Sequence, residues 1–250
     1  MEWHDEGLII GLRRYGETGA ILEVFTPAHG RHFGLVRGGF GRRLRALLQP
    51  GNQADFTWRA RLDQQLGLLA VEPTKLMTTR LFASGLALQG MNLIAALLRL
   101  LPERDPHPEL YAVVRVLLEH LDEPAVAPIL LARFELAMLT ETGFGLDLSA
   151  CAATGATQEL IYVSPKSGRA VSARAGAPYH DKLLGLPPFF LDGSLLKNPT
   201  LEEVEAGFAL TGHFLMRDLF GPRGQTLPDA RHAFLAETAK TYPRVAPQCF

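Results

Sequence analysis

QADFTWRAR, residues 53–61, places Ala54, Phe56, Trp58 and Ala60 on one side of an extended chain and Asp55, Thr57, Arg59 and Arg61 on the other. Successive strand side chains point to opposite faces, so this is the pattern of a half-buried strand. Working outward, EGLIIGLRRY (6–15), GAILEVFTP (19–27), GRHFGLVRG (30–38) and LGLLAVEP (66–73) are similarly short and rich in Val, Ile, Leu and Phe. Turn formers separate them at Gly16–Gly19, Pro27–Gly30, Gly38–Gly41 and Pro50–Asn52. Five short strands in about 70 residues suit a small closed barrel better than a sandwich.

The period changes after Thr79. Leu86, Leu93 and Leu97 mark a helical stripe across residues 80–101. Leu110, Val113, Val114, Leu117, Leu118 and Leu121 repeat at helical spacing, and Leu130, Phe134, Ala137 and Met138 line a third helix from about Ala127 to Thr142. Residues 147–198 are rich in Gly, Ala, Ser and Pro, with a short hairpin expected from Glu159–Val163 and Arg169–Ala173. Thr200 and Glu203 then read as a capping box, opening a helix lined by Phe208, Leu215 and Leu219, and a last helix spans roughly Pro228 to Ala239. Strands first and helices after give an α+β chain. The expected domains are residues 1–79, a β-barrel, and residues 80–250, an α-helical part interrupted at about 147–198, with a short link between barrel and helices.

The 250 residues are 47% hydrophobic and 20% charged, enough apolar matter for a core and too much for disorder along the chain. The start, MEWHDEGLII, lacks the basic and long apolar regions of a signal peptide, and Ser84–Leu101 is broken by Gln89, Asn92 and Arg99. Cys151 and Cys249 form no disulfide framework. These features point to a soluble cytoplasmic protein.

A formal net charge of −1 hides an asymmetry, because residues 1–80 carry +3. Between Arg31 and Arg61 the one acid is Asp55, against Arg31, Arg37, Arg42, Arg43, Arg45, Arg59 and Arg61. Arg42, Arg43 and Arg45 follow the glycines 38–41 in what reads as a loop, and guanidinium forks suit phosphate oxygens. The seven arginines are therefore the candidate DNA-binding residues. Phe33, Phe40 and Trp58 either stack on bases or fill the barrel. The glycines match no phosphate-cradling motif.

Catalytic and metal-binding patterns are thin. Glu135 and Glu141 do not share a helix face, and Ser164 and Ser167 have no evident His partner. Cys151-Ala-Ala-Thr154 has the spacing of half a zinc knuckle with a single thiolate, where a structural zinc needs four ligands. No metal, cofactor or catalytic residue is expected. His29 and His32 flank a turn and are expected to face solvent or phosphate.

Several stretches, taken in order, resemble the bacterial RecO family. They are Tyr15-Gly16-Glu17-Thr18, Thr26-Pro27-Ala28-His29-Gly30, Val36–Gly39 followed by Arg42-Arg43, Leu48–Asn52, Trp58–Leu62 and Leu210–Leu215. Each is short; their shared order over some 200 residues is what identifies the pattern. The resemblance implies an N-terminal OB-fold and an α-helical domain with a zinc-finger-like insert. It implies a non-enzymatic recombination mediator of DNA repair, acting with the nucleoid, that binds single- and double-stranded DNA and anneals complementary strands. It also implies partnership with RecR, contact with the single-strand binding protein SSB and help in loading RecA. Many relatives fill the insert with four cysteines; here Cys151 stands alone, so the insert is expected to be degenerate and zinc-free. Two other readings of the basic segment are a protein-interaction adaptor that binds an acidic peptide and a magnesium-dependent nuclease. The nuclease needs converging carboxylates, and the segment offers Asp55 alone.

Overall fold

A computed structural model describes residues 1–62, 64–191 and 199–243. The chain divides into two compact units, Met1–Asp122 and Glu123–Phe250. The first holds five strands: β1 (Glu2–Tyr15), β2 (Gly19–Thr26), β3 (Gly30–Val36), β4 (Gln53–Arg59) and β5 (Leu68–Lys75), with a short helix α1 (Arg42–Leu47) between β3 and β4. They close in the order β1-β2-β3-β5-β4. All pairings are antiparallel except β3 with β5, which meet in parallel at Leu35↔Leu68.

Period-2 alternation decides what fills the barrel. Ala54, Phe56 and Trp58 of β4 pack inward against Ile9, Leu22, Val24, Val36 and Leu69, while Asp55, Thr57 and Arg59 face away. Burying each large apolar side chain contributes roughly 1.5–3 kcal/mol. Long-range pairing then follows, because a slip by one residue would turn the whole set outward.

Three helices complete this unit: α2 (Thr78–Ala83), α3 (Gly85–Leu98) and α4 (Pro108–Glu119). The helix expected across residues 80–101 is split. Ser84 is extended (φ −128°, ψ 119°), and its hydroxyl accepts from the Ala87 amide at 3.2 Å, ending α2 and capping α3. Val113, expected on the buried stripe of α4, is 40% exposed; the packed arc runs through Leu110, Tyr111, Val114, Leu117 and Leu118.

Polar and steric devices join helices to barrel. The buried Asn52 carboxamide oxygen accepts from the amides of Met77 (2.8 Å) and Thr78 (3.2 Å) and from the Thr78 hydroxyl (2.8 Å). Its amide nitrogen donates to Leu47 O at 2.8 Å. Asn52 thus caps α2 from the start of β4. Gly51, with φ +93°, lets α2 approach: a Cβ there would stand 2.2 Å from Leu81 Cδ1. Gly30 does the same at the segment before α4, where a Cβ would lie 1.9 Å from Asp105 O.

The second unit contains α5 (Ala127–Glu141), a three-stranded sheet ordered β7-β6-β8 from β6 (Leu160–Val163), β7 (Ala170–Ser172) and β8 (Leu184–Gly185), the single turn α6 (Ala173–Gly176), α7 (Leu201–Phe214) and α8 (Asp229–Thr241). The Thr200–Glu203 capping box forms: Glu203 N donates to Thr200 Oγ1 at 3.2 Å, and Thr200 N to Glu203 Oε2 at 2.8 Å. α7 continues into a π-helical turn, Leu215–Phe220. Glu135 of α5 is fully buried and paired with Arg231 of α8, whose Nε and Nη2 lie 2.7 and 3.0 Å from its carboxylate oxygens. Of the insert expected at 147–198, residues 192–198 lie outside the described residues, as does Cys249.

Candidate nucleic-acid interface

The arginines expected at the site do not share one environment. Arg31, on the outer face of β3, has a side chain only 13% exposed. Its Nη1 donates to Glu23 Oε1 at 2.9 Å, and its Nε to Leu101 O at 3.2 Å. Arg99, just past α3, holds the other Glu23 oxygen at 2.8 Å and donates to Ile10 O at 2.9 Å. Glu23 is thus buried between two guanidinium groups, and the Arg31–Glu23–Arg99 cluster ties barrel to helix. Its guanidinium is committed to that tie, which offers a phosphate little.

Of the others, Arg37 and Arg59 line one open wall. The parallel contact of β3 with β5 is a thin seam, supported by Leu35 N donating to Gly67 O at 3.0 Å. Over it lies a groove of about 520 Å³ lined by Leu35, Arg37, Leu44, Arg59, Leu68 and Glu72, among others. Arg37 is exposed and has no ion pair among the described residues. Arg59 pairs with Glu2 at 2.7 Å, but its side chain is 67% exposed. So exposed a pair contributes little to stability.

Arg42, Arg43 and Arg45 were expected on a loop and instead start α1. Leu44 and Leu48, four residues apart, lie on one side of this turn and pack into the barrel, which is why so short a segment winds. Arg42 and Arg45 are exposed, three residues apart on a shared face, and Arg45 lies 5.6 Å over the Phe40 ring. The Arg43 side chain lies outside the described part of the structure. Arg61, beyond β4, is exposed. The scarcity of acids between Arg31 and Arg61 proves a local property: Glu2 and Glu23, distant in sequence, come back to Arg59 and Arg31.

The aromatic residues separate cleanly. Trp58 is 1% exposed, donates from Nε1 to Leu66 O at 2.9 Å and stacks on Trp3. Phe40 is half-buried beneath Arg45. Phe33 lies on the outer face of β3, between the buried His32 and Gly34. The Cζ atoms of Arg31 and Arg13 lie 5.4 and 5.7 Å from its ring centroid. Arg13 was not among the expected site residues. Period-2 alternation along β3 held the signal for Phe33, which shares the outer face with Arg31 and Leu35; nothing in the β1 pattern singled out Arg13.

The two histidines do not reach outward as expected. His29 stacks on Trp3 at 4.2 Å and contacts Asp5 at 3.0 Å, and His32 is buried in the barrel. Among the described residues, no three His, Cys, Asp or Glu side chains gather to hold a metal ion. Cys151 is buried, and its sulfur accepts from the amide and hydroxyl of Ser172 at 3.2 and 3.4 Å. These donors, with Thr154, hold its thiol below the usual pKa.

Fold and surface define a class: a small closed barrel with a basic, partly aromatic wall, followed by helices. Residues 1–77 match the family model described as Recombination protein O N terminal, and residues 84–226 match Recombination protein O C terminal. The chain belongs to the RecO family. It is 59% identical to the DNA repair protein RecO of Methylocella silvestris, over 98% of this chain and 99% of that protein. The DNA repair proteins RecO of Methylorubrum extorquens and Brucella abortus are 58% and 55% identical, each over 94% of this chain and over 98% and 95% of their own length. The family is one of DNA repair. Among the described residues, no helix is long and apolar enough to cross a membrane.

Proposed function

We propose that this protein binds single- and double-stranded DNA without sequence preference, through the arginine-bearing wall of its N-terminal barrel. In this reading the barrel is an OB-fold, and Arg37, Arg42, Arg43, Arg45, Arg59 and Arg61 contact phosphates while Arg31 serves the fold. The protein acts without bond chemistry: it anneals complementary strands and, with RecR, helps load RecA onto strands coated by SSB, working at the nucleoid. The sheet at β6–β8 is the zinc-finger-like insert without its metal.

One observation carries this reading. Arg37 and Arg59 line an open groove whose floor is Leu35, Leu44 and Leu68, and the exposed Arg42 and Arg45 stand on the helix that supplies Leu44. A positive groove tracking a backbone is how a barrel binds a strand whatever its sequence. Glu72 at the groove's edge is one acid against these cations.

The test is anisotropy titration of labelled single strands and duplexes of several sequences at low salt, with a fluorescence assay of annealing between complementary strands. Binding of all sequences with similar affinity, and accelerated annealing, are expected. A folded protein that binds neither form at low salt ends the proposal.

A further inference from the structure

A second depression lies on the barrel wall, away from the β3–β5 seam. It holds about 300 Å³ over β1, β2 and β3, and its lining includes Gly11, Arg13, Glu23, Arg31, Phe33 and Arg99. Three guanidinium groups and one carboxylate line it, and both oxygens of that carboxylate are taken by Arg31 and Arg99. Arg31 and Arg99 are held in place by backbone carbonyls as well. Arg13 is different: it is exposed and has no ion pair among the described residues.

Phe33 forms the aromatic surface of this depression. The rings that serve the core, Phe56 and Trp58, are 0% and 1% exposed, whereas Phe33 is partly open to the cavity. The Cζ atoms of Arg31, tied to Glu23, and of the exposed Arg13 lie over its ring, 5.4 and 5.7 Å from the centroid, so a base that stacks there takes the place of the Arg13 guanidinium. This combination suits a flat aromatic group joined to an anion. A base in a duplex is already stacked and paired, so only an unpaired base has a face to offer.

We infer that Phe33 is the stacking platform for one unpaired base of single-stranded DNA, with Arg13 taking the adjoining phosphate. Arg31, Glu23 and Arg99 hold the platform. The inference rests on the DNA-binding reading above and adds to it a means of telling single strand from duplex. The groove beneath α1 responds to the backbone of either form; the Phe33 depression responds to a free base.

The test compares wild type, Phe33→Leu, Phe33→Trp and Arg13→Ala on a single strand, a duplex and a wholly abasic strand of equal length. Leucine keeps bulk and apolarity without a π face, so the fold is retained. Phe33→Leu should lose roughly five- to hundredfold affinity for the single strand, the range of one base–aromatic stack. Its duplex affinity, abasic-strand affinity and salt dependence should match wild type, and Phe33→Trp should restore single-strand binding. Arg13→Ala should flatten the single-strand salt slope by roughly 0.7, the share of one phosphate contact. A folded Phe33→Leu with wild-type single-strand affinity, or with equal losses on both forms, overturns the inference and leaves DNA binding standing. Wild-type protein that binds the abasic strand as tightly as the normal one overturns it without any variant. Wild type that binds no DNA overturns the underlying reading instead.

Discussion

Glu23 Oε2 in β2 and Arg99 Nε just beyond α3 stand 2.8 Å apart although 76 residues separate them. The same carboxylate holds Arg31, so one buried acid joins two cations and the helices to the barrel. Removing it deprives two guanidinium groups of their shared carboxylate; Arg31, nearly enclosed, keeps Leu101 O and Glu103 at 3.9 Å, and the more open Arg99 keeps Ile10 O. Glu23→Ala should therefore destabilise the protein by about 2–4 kcal/mol, below the full range for a wholly buried pair because Arg99 is partly exposed. Urea unfolding checks this, and an unchanged midpoint would remove the cluster from the fold's support.

Replacing Arg37, Arg42 and Arg45 together by alanine should weaken DNA binding most at low salt. The slope of log K against log salt on single strands should flatten by about 2, since each lost phosphate contact contributes roughly 0.7. Stability should change by no more than about 0.5 kcal/mol per site. Arg31→Ala should show the reverse: a lower unfolding midpoint with nearly the wild-type salt slope. Wild-type slope in the triple variant counts against these residues as phosphate contacts.

Asn52→Ala removes the acceptor of three donors at the start of α2 and leaves Leu47 O without its donor. Unsatisfied buried groups of this kind cost about 1–3 kcal/mol each, and partial hydration brings the total to about 2–4 kcal/mol. The urea midpoint should fall with no change in m-value, because the surface exposed on unfolding stays the same. A variant as stable as wild type contradicts the capping role.

Glu119 and Asp122 supply an acid-sensitive contribution. A hydrogen bond from Lys75 holds the Glu119 carboxyl below 4.5, and one from Arg80 holds Asp122 below 3.8. Carboxylates whose pKa falls on folding add stability that is complete above the unfolded values, and the protein loses it as pH drops through the folded ones. Stability of the wild type should thus fall from about pH 5 downward, and Arg80→Ala should make that limb shallower. The effect is small, because these side chains are partly exposed and screened. Identical acid limbs in wild type and Arg80→Ala count against it.

Much of the architecture was legible in residue spacing. Ala54, Phe56 and Trp58 revealed β4 because a strand's two faces meet different solvents, and the Thr200–Glu203 box revealed the start of α7 because its hydrogen bonds are local. The short helix α1 was not legible: six residues carry too little periodicity, and it winds because Leu44 and Leu48 find the barrel. The break at Ser84 was hidden inside an apolar run that reads equally well as one helix.

The sequence by itself determined that the strands alternate apolar and polar faces, where strands give way to helices, and which segment carries the positive charge. These depend on alternation and composition, which act between near neighbours. The tertiary structure alone decided which arginines are available. Arg31 and Arg59 look alike in the chain, yet Glu23 and the Leu101 carbonyl hold the first while Glu2 pairs with the second in open solvent. It likewise separated Phe33 from Trp58, putting one ring on the wall and the other in the core. Charge pairing and stacking depend on distances in space, and chain closure brings together groups whose separation in sequence carries no trace of the meeting.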